Sequence, residues 1–157
     1  MYKAIIRCIG KPTDVWHQQA IHSYQERLAP FVHLETVELP EGHKGSAKPD
    51  EVKTRVAEAQ SLLKGIPKDA WVVALDETGK ELDSPAFARL VADWSAGGRT
   101  VVFLIGGSWG LDGEVRARAN LTLSLGKLTL PHSLARIVLL EQLYRAAMIN
   151  TGKTYHK

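Results

Sequence analysis

The chain has 157 residues, 45% hydrophobic and 24% charged, with 20 Lys and Arg against 17 Asp and Glu and a net charge of +3. That length carries one hydrophobic core without help from a metal or crosslinks. A single cysteine, Cys8, excludes a disulfide framework and a multi-cysteine zinc site. The charge is uneven: residues 1–100 hold 13 basic against 14 acidic side chains, whereas residues 101–157 hold 7 against 3. A basic C-terminal third suits a polyanion such as nucleic acid, and equally an ordinary solvated surface. No apolar run reaches the length of a membrane span, and "MYKAIIRCIGK" reads as a first strand rather than a signal peptide. A soluble, cytoplasmic protein is expected.

Strand and helix signals alternate along the chain. "YKAIIRCIG" is the first strand, and Thr13 to Leu28 is helical and stopped by Pro30. "FVHLETVEL" supplies the second strand and "PEGHKGSAK" a polar loop. The second helix opens near Pro49, with Val52, Val56, Ala59, Leu62 and Leu63 as its apolar face. "AWVVAL" is the third strand, closed by the turn "DETGKELD". Ser84 caps the next helix, which has Pro85 at its first position and Phe87, Leu90, Val91 and Trp94 on one face. "RTVVFLIG" is the fourth strand. A short helix from Asp112, a fifth strand "LTLSL" and a long helix from Ser133 to about Asn150 complete the chain. The third and fourth strands are continuous apolar runs, as a sheet buried on both faces requires. The fold class is therefore a single α/β domain, with a mostly parallel sheet covered by helices on both faces. Ligands of such sheets sit at the carboxyl ends of strands, here from Leu75, Gly106 and Leu125 onward.

"VVFLIGGSWGLDG" resembles a phosphate cradle only superficially. No Gly-Lys pair has the Walker spacing: "GKT" at Gly152 comes closest, but Ala147 stands where the first glycine belongs. The dinucleotide fingerprint fails because "IGGSWG" begins with isoleucine. Asp112 and Glu114, at the start of the following helix, would repel a phosphate, so a neutral or cationic ligand fits better. Two readings of Gly106, Gly107 and Gly110 remain: a tight turn, or close backbone approach to a flat ligand. "LGKLTLPHSLAR" is too apolar for an exposed connection, so Leu125, Leu128 and Leu130 pack on the core or wall an apolar pocket. His132 and Arg136, one turn apart, read either as structural residues or as a pair facing a polyanion. No metal-ligand spacing is present, and Ser108 lacks the context of a nucleophile elbow. The last helix is apolar over more than one face, which suggests a second contact such as another subunit, with full burial inside one subunit as the alternative. In the tail "KTYHK", normally a segment without fixed order, Tyr155 suits base stacking, His156 proton exchange and Lys157 a phosphate.

"FLIGG" followed by "GL", then "LTLPHSLARIVLLEQLYRAAMINTGKTYHK", with "ALD" and the early "GHKG" loop, closely resembles the ribosomal RNA large-subunit methyltransferase H family over essentially the whole chain. The resemblance implies a small SPOUT-type domain with a deep C-terminal trefoil knot, working as a homodimer. It implies S-adenosylmethionine as methyl donor and N3 of a pseudouridine in the intersubunit stem-loop of 23S ribosomal RNA as acceptor, within the large subunit or the 70S ribosome. No metal and no membrane take part. Its cofactor positions fall on Leu75, Gly106, Leu125, Gly126, Lys127, Leu128, Thr129 and Leu130. His156, Tyr155 and Arg136 are the catalytic candidates, and His132, Arg136, Lys153 and Lys157 the RNA-binding ones. The chain departs from the family in reading "GGSWG" for the common "GGPEG", and in Gly126 and Lys127. The rival reading is a non-catalytic RNA- or nucleotide-binding module with the same fold.

Overall fold

The computed structural model describes residues 1–43 and 45–157. Five strands, β1 (Tyr2–Ile9), β2 (Val32–Leu39), β3 (Trp71–Glu81), β4 (Val101–Ile105) and β5 (Leu121–Ser124), alternate with α1 (Val15–Leu28), α2 (Glu51–Leu63), α3 (Ser84–Ala96), α4 (Gly113–Arg118) and α5 (His132–Asn150). The strands form one sheet in the order β2-β1-β4-β3-β5, and every pairing is parallel. β4 is central and buried throughout because its five apolar side chains feed two cores in turn. Val101, Phe103 and Ile105 join Ala4, Ile6, Val73 and Leu75 under α1, α3 and α5. Val102 and Leu104 join Val72 and Ala74 under α2 and α4. The two-faced α/β architecture expected from the sequence is present, with all five strands parallel.

Several local expectations need correction. β3 does not end at Leu75: it runs to Glu81, because Lys80 and Glu81 return to pair with Leu123 and Ser124 of β5 after a register shift. Asp83, not Ser84, caps α3, its carboxylate accepting from the Ala86 amide at 2.7 Å. Ser133 lies inside α5, which opens directly after Pro131 without a side-chain cap. On α2, Val52 and Val56 face solvent while Thr54 and Glu58 are buried with Ala59 and Leu62. The wide apolar surface of α5 is covered mainly within the chain. α5 lies between α1 and α3, with Tyr144 against Tyr24, Asn150 Nδ2 donating to Ala88 O at 3.0 Å and Ser84 Oγ bonded to Gln142 at 2.7 Å. Among the described residues no helix is long and apolar enough to cross a membrane.

Candidate active site

A cavity of about 990 Å³ opens beyond the carboxyl ends of β4 and β5 and beside the stretch of β3 that follows Leu75, at the upper end of the size range of small-molecule sites. The connection after β3 leaves toward α3 on one face and that after β4 toward α4 on the other, so the cavity sits at a topological switch point.

The β4 wall is the glycine turn. Gly107 and Gly110 form an antiparallel bridge, with Gly110 N donating to Gly107 O at 3.1 Å. Gly106 lies so close to this bridge that an added Cβ would fall 2.9 Å from both Gly110 O and Leu111 Cδ2. Close packing therefore requires glycine there, and Ser108 and Trp109 are carried to the exposed rim.

The β3 wall comes from the register shift. Asp76 to Gly79 leave the ladder with β5, the kind of irregularity that re-aims side chains beside a site. Asp76 Oδ1 accepts from the Thr78 amide at 2.9 Å and its hydroxyl at 2.6 Å, while Oδ2 takes Arg116 Nη1 at 3.0 Å. Burial pushes the Asp76 carboxyl up, but the Thr78 and Arg116 hydrogen bonds outweigh it and hold the group below its ordinary range. The chain re-enters the ladder at Lys80, directly after Gly79, where a Cβ would lie 2.6 Å from Thr122 O.

The third wall follows β5. Ser124 Oγ bonds both the amide and the carbonyl of Gly126, fixing the exit turn. Thr129 Oγ1 then donates to Glu77 Oε2 at 2.6 Å, joining this segment to the β3 wall. Leu125, Leu128, Leu130 and Pro131 supply apolar lining, and Leu128 is 82% exposed. Glu51 pairs with Arg55 and Asp76 with Arg116, which leaves Glu77 as the acid without a cationic partner among the described residues of the wall. Apolar flanks, a close-packed glycine turn and one surplus negative charge suit a flat, positively charged ligand better than a phosphate.

A family model described as "Predicted SPOUT methyltransferase" matches residues 2–156. The chain belongs to the SPOUT methyltransferase family. It is 47% identical over 149 residues to a protein of Gluconacetobacter diazotrophicus named ribosomal RNA large subunit methyltransferase H, covering 95% of this chain and 93% of the relative. Proteins of the same name from an Anaeromyxobacter species and from Desulfitobacterium hafniense are 45% and 40% identical, over 151 and 161 residues. The first alignment covers 95% of both chains and the second 100% of both.

In this SPOUT methyltransferase the cavity brings together Leu75, Gly106, Leu125, Leu128, Thr129 and Leu130 of the expected cofactor set. Gly126 instead lines a second cavity, and the exposed Lys127 lines neither. His132 is in the first cavity, half-buried. Sequence reasoning missed Asp76, Glu77, Thr78 and Arg116; their signal was position, directly after the apolar run of the third strand and on the short helix behind the glycine turn.

The tail is packed rather than loose. Tyr155 stacks edge-on against Tyr144 at 4.9 Å and donates to Glu141 at 3.2 Å. Burial and the Glu141 carboxylate push its phenol up, so it remains a donor at neutral pH. Arg145 covers the Tyr155 ring at 4.8 Å and lies 3.4 Å from His156 Nδ1. His156 lines the second cavity with Ser84, Gln142 and Gly126. Lys153 sits over the Phe31 ring at 5.0 Å, and Lys157 is exposed. The expectation that Arg136 shares a polyanion-facing surface with His132 is corrected. Arg136 is 5% exposed, and its Nη1 is committed to Glu38 at 2.7 Å and to Cys8 Sγ at 3.7 Å. A guanidinium desolvated in this way serves the core, not a phosphate.

Proposed function

We propose that this protein methylates N3 of a pseudouridine in the intersubunit stem-loop of 23S ribosomal RNA, using S-adenosylmethionine, as a homodimer acting on the assembled large subunit or 70S ribosome. The observation that carries the reading is the cavity. Six of the eight expected cofactor positions converge on one pocket whose close-packed glycines and surplus acid fit a cationic nucleoside. The names of the relatives support the RNA substrate class. The C-terminal trefoil knot implied by the resemblance belongs to the same reading.

S-adenosylmethionine, when bound, supplies an activated methyl group on a sulfonium. The protein's own contribution is positioning and proton handling. Leu75, Leu125, Leu128 and Leu130 flank a flat face, Gly106 and Gly107 let the backbone approach it, and Glu77 complements positive charge. Pseudouridine N3 carries a proton that must leave, and His156 is the group assigned to accept it, with Tyr155 orienting the base. His132, Lys153 and Lys157 are the contacts assigned to phosphate. In a single chain His156 stands in the second cavity and is held there by Arg145, with Leu125 as the wall common to both cavities. This separation supports a dimer in which the tail of one subunit completes the pocket of the other.

Transfer of labelled methyl to ribosomes lacking the modification, followed by mapping of the labelled nucleotide, tests the proposal. Label elsewhere than N3 of a pseudouridine refutes the assigned target, and no binding of S-adenosylmethionine at millimolar concentration refutes the enzyme reading. A heterodimer of a tail-truncated subunit with a cofactor-pocket mutant should regain activity. Silence of that heterodimer counts against sharing.

A further inference from the structure

The second cavity, of about 770 Å³, shares Leu125 with the first and is otherwise walled by α3, α5 and the end of β5. Its apolar lining, from Phe87, Leu123, Leu125 and Val138, suits a flat ring. Glu81 and Asp83 also line it, and their carboxylates disfavour a phosphate, so a base rather than its backbone is what the cavity can take. Gln142 gives this space a means of reading an edge. Its carboxamide is held at both ends: Nε2 donates to Glu141 Oε2 at 2.6 Å, and Oε1 accepts from Ser84 Oγ at 2.7 Å. A carboxylate only accepts, so the end at Glu141 is the NH2 and the end at Ser84 is the oxygen, which takes the single hydroxyl proton. Arg145 Nη2 donates to Glu141 Oε1 at 2.7 Å, so the carboxylate is itself anchored. One N–H on Nε2 and one lone pair on Oε1 remain, a donor and an acceptor in the plane of a fixed amide. Neither is bonded elsewhere among the described residues, and Gln142 lines the cavity together with His156.

We infer that the second cavity seats the acceptor base and that Gln142 is the residue that tells pseudouridine from uridine. The two nucleosides present the same imide at one edge, N3–H between two carbonyls. They differ at the next edge. Pseudouridine, joined to ribose through C5, carries a free N1–H beside C2=O, where uridine has C5–H beside C4=O. A carboxamide pairs with the N1–H and C2=O couple, donating to the carbonyl from Nε2 and accepting N1–H on Oε1. Against uridine the same oxygen faces a C–H and stays unsatisfied. The pairing leaves N3 on the far side of C2=O, uncovered, in the cavity that His156 lines, so the group read and the group methylated do not compete. Ser84 acts through Gln142, as a positioning residue that keeps the amide from turning over. The base pocket and His156 belong to one chain, so in the dimer they face the donor of the neighbouring subunit together.

Because this assignment rests on the proposed methyltransferase activity, both nucleosides serve as substrates in its test. Single-turnover transfer from labelled S-adenosylmethionine is followed on ribosomes carrying pseudouridine at the target and on ribosomes carrying uridine there. The full chain is used as wild type, Gln142→Leu, Gln142→Met and Ser84→Ala, each checked by circular dichroism and by calorimetry with S-adenosylmethionine. Wild type should favour pseudouridine by about tenfold or more. Gln142→Leu should lose about tenfold on pseudouridine and stay within about threefold of wild type on uridine and in cofactor affinity, so that the preference disappears. Ser84→Ala should lose part of the preference in the same direction. Should Gln142→Leu fail to fold, Gln142→Met, which keeps the length of the side chain, replaces it. A residue that only props α5 against α3 would slow both substrates alike. An equal loss on the two ribosomes, a retained preference in the folded Gln142 variant, or no preference in the wild type overturns the inference and leaves the methyltransferase reading standing. Absence of transfer by the wild type to either ribosome overturns both.

Discussion

Gly106→Ala isolates the close packing of the glycine turn from every other property of the pocket. The backbone of Gly106 does not occupy the left-handed region, so alanine meets no conformational penalty there. What it meets is matter: its Cβ would stand 2.9 Å from Gly110 O, 2.9 Å from Leu111 Cδ2 and 3.0 Å from Gly110 C. Carbon atoms in favourable contact lie about 3.5–4.0 Å apart, so at least about half an ångström must be found. Leu111 is buried, and the Gly110 carbonyl is fixed backbone next to the Gly107–Gly110 bridge. Overpacking of this kind costs roughly 1–3 kcal/mol.

That cost has two outlets. If the turn keeps its shape, the strain stays in the folded protein and lowers the melting temperature by about 2–4 °C per kcal/mol. If the turn opens, stability is spared and the strain appears on ligand binding, at a factor of ten in affinity for about every 1.4 kcal/mol. Thermal unfolding and S-adenosylmethionine calorimetry on the same preparation measure both, and their sum should fall within the stated range. Gly113→Ala is the matched control. It lies at the start of α4 with nothing within 4 Å of the new Cβ and should gain up to about 1 kcal/mol from helix propensity. Unchanged melting temperature together with unchanged affinity in Gly106→Ala would refute the close-approach reasoning.

Asp76→Asn should lower stability by about 1 kcal/mol at neutral pH, a modest figure because Arg116 is 43% exposed and screened. Since the Asp76 carboxyl is held below its ordinary value, wild type keeps this advantage above about pH 4, the unfolded-state value. It loses the advantage as the pH falls through the folded-state value, which unfolding curves of the two proteins from pH 7 to pH 3 would show. Glu58 has the opposite sign: burial pushes its carboxyl up, so the stability of wild type relative to Glu58→Gln should rise as the pH falls from 7 toward 4. Arg136→Ala should cost about 2 kcal/mol, chiefly through the void left by the buried side chain, because Glu38 itself reaches solvent. Arg136→Met combined with Glu38→Gln should recover most of that in thermal unfolding; a small loss in Arg136→Ala would return the guanidinium to the surface role expected from the sequence.

The parts of this fold that were legible in the sequence are those fixed by neighbours along the chain. The apolar run Val101–Ile105 announces a strand buried on both faces; Leu75 ends the apolar run of the third strand, Gly106 and Leu125 follow the fourth and fifth, and all three fall at one edge of a parallel sheet. Local chemistry failed where two choices were locally equal. Asp83 and Ser84 are both good caps, and Pro85 is acceptable at the first or second helical position, so only the Asp83–Ala86 hydrogen bond separates them. It failed more deeply at "DETGKE", which reads as a turn by composition. There tertiary pairing prevails: the close approach of Gly79 to Thr122 lets Lys80 and Glu81 rejoin β5, and the displaced residues become a wall of the pocket.

The two buried charges were illegible for a related reason, and they show which kind of information is missing. Arg136 finds Glu38 across 98 positions of sequence, and Glu58 accepts from the Gly42 amide in the connection after β2. Helical periodicity assigned the core face of α2 to Val52 and Val56, whereas the structure exposes both and buries Glu58. A carboxylate at a core position is unfavourable in local terms, because the amide that compensates it belongs to a loop whose approach is decided by the tertiary structure. The strand order β2-β1-β4-β3-β5 leaves β1 between the ends of β2 and β4, so a helix crossing behind that edge needs a side chain long enough to reach both connections. Glutamate at position 58 has that reach, which is why its position, opposed by local hydropathy, marks the place where the scaffold touches the pocket.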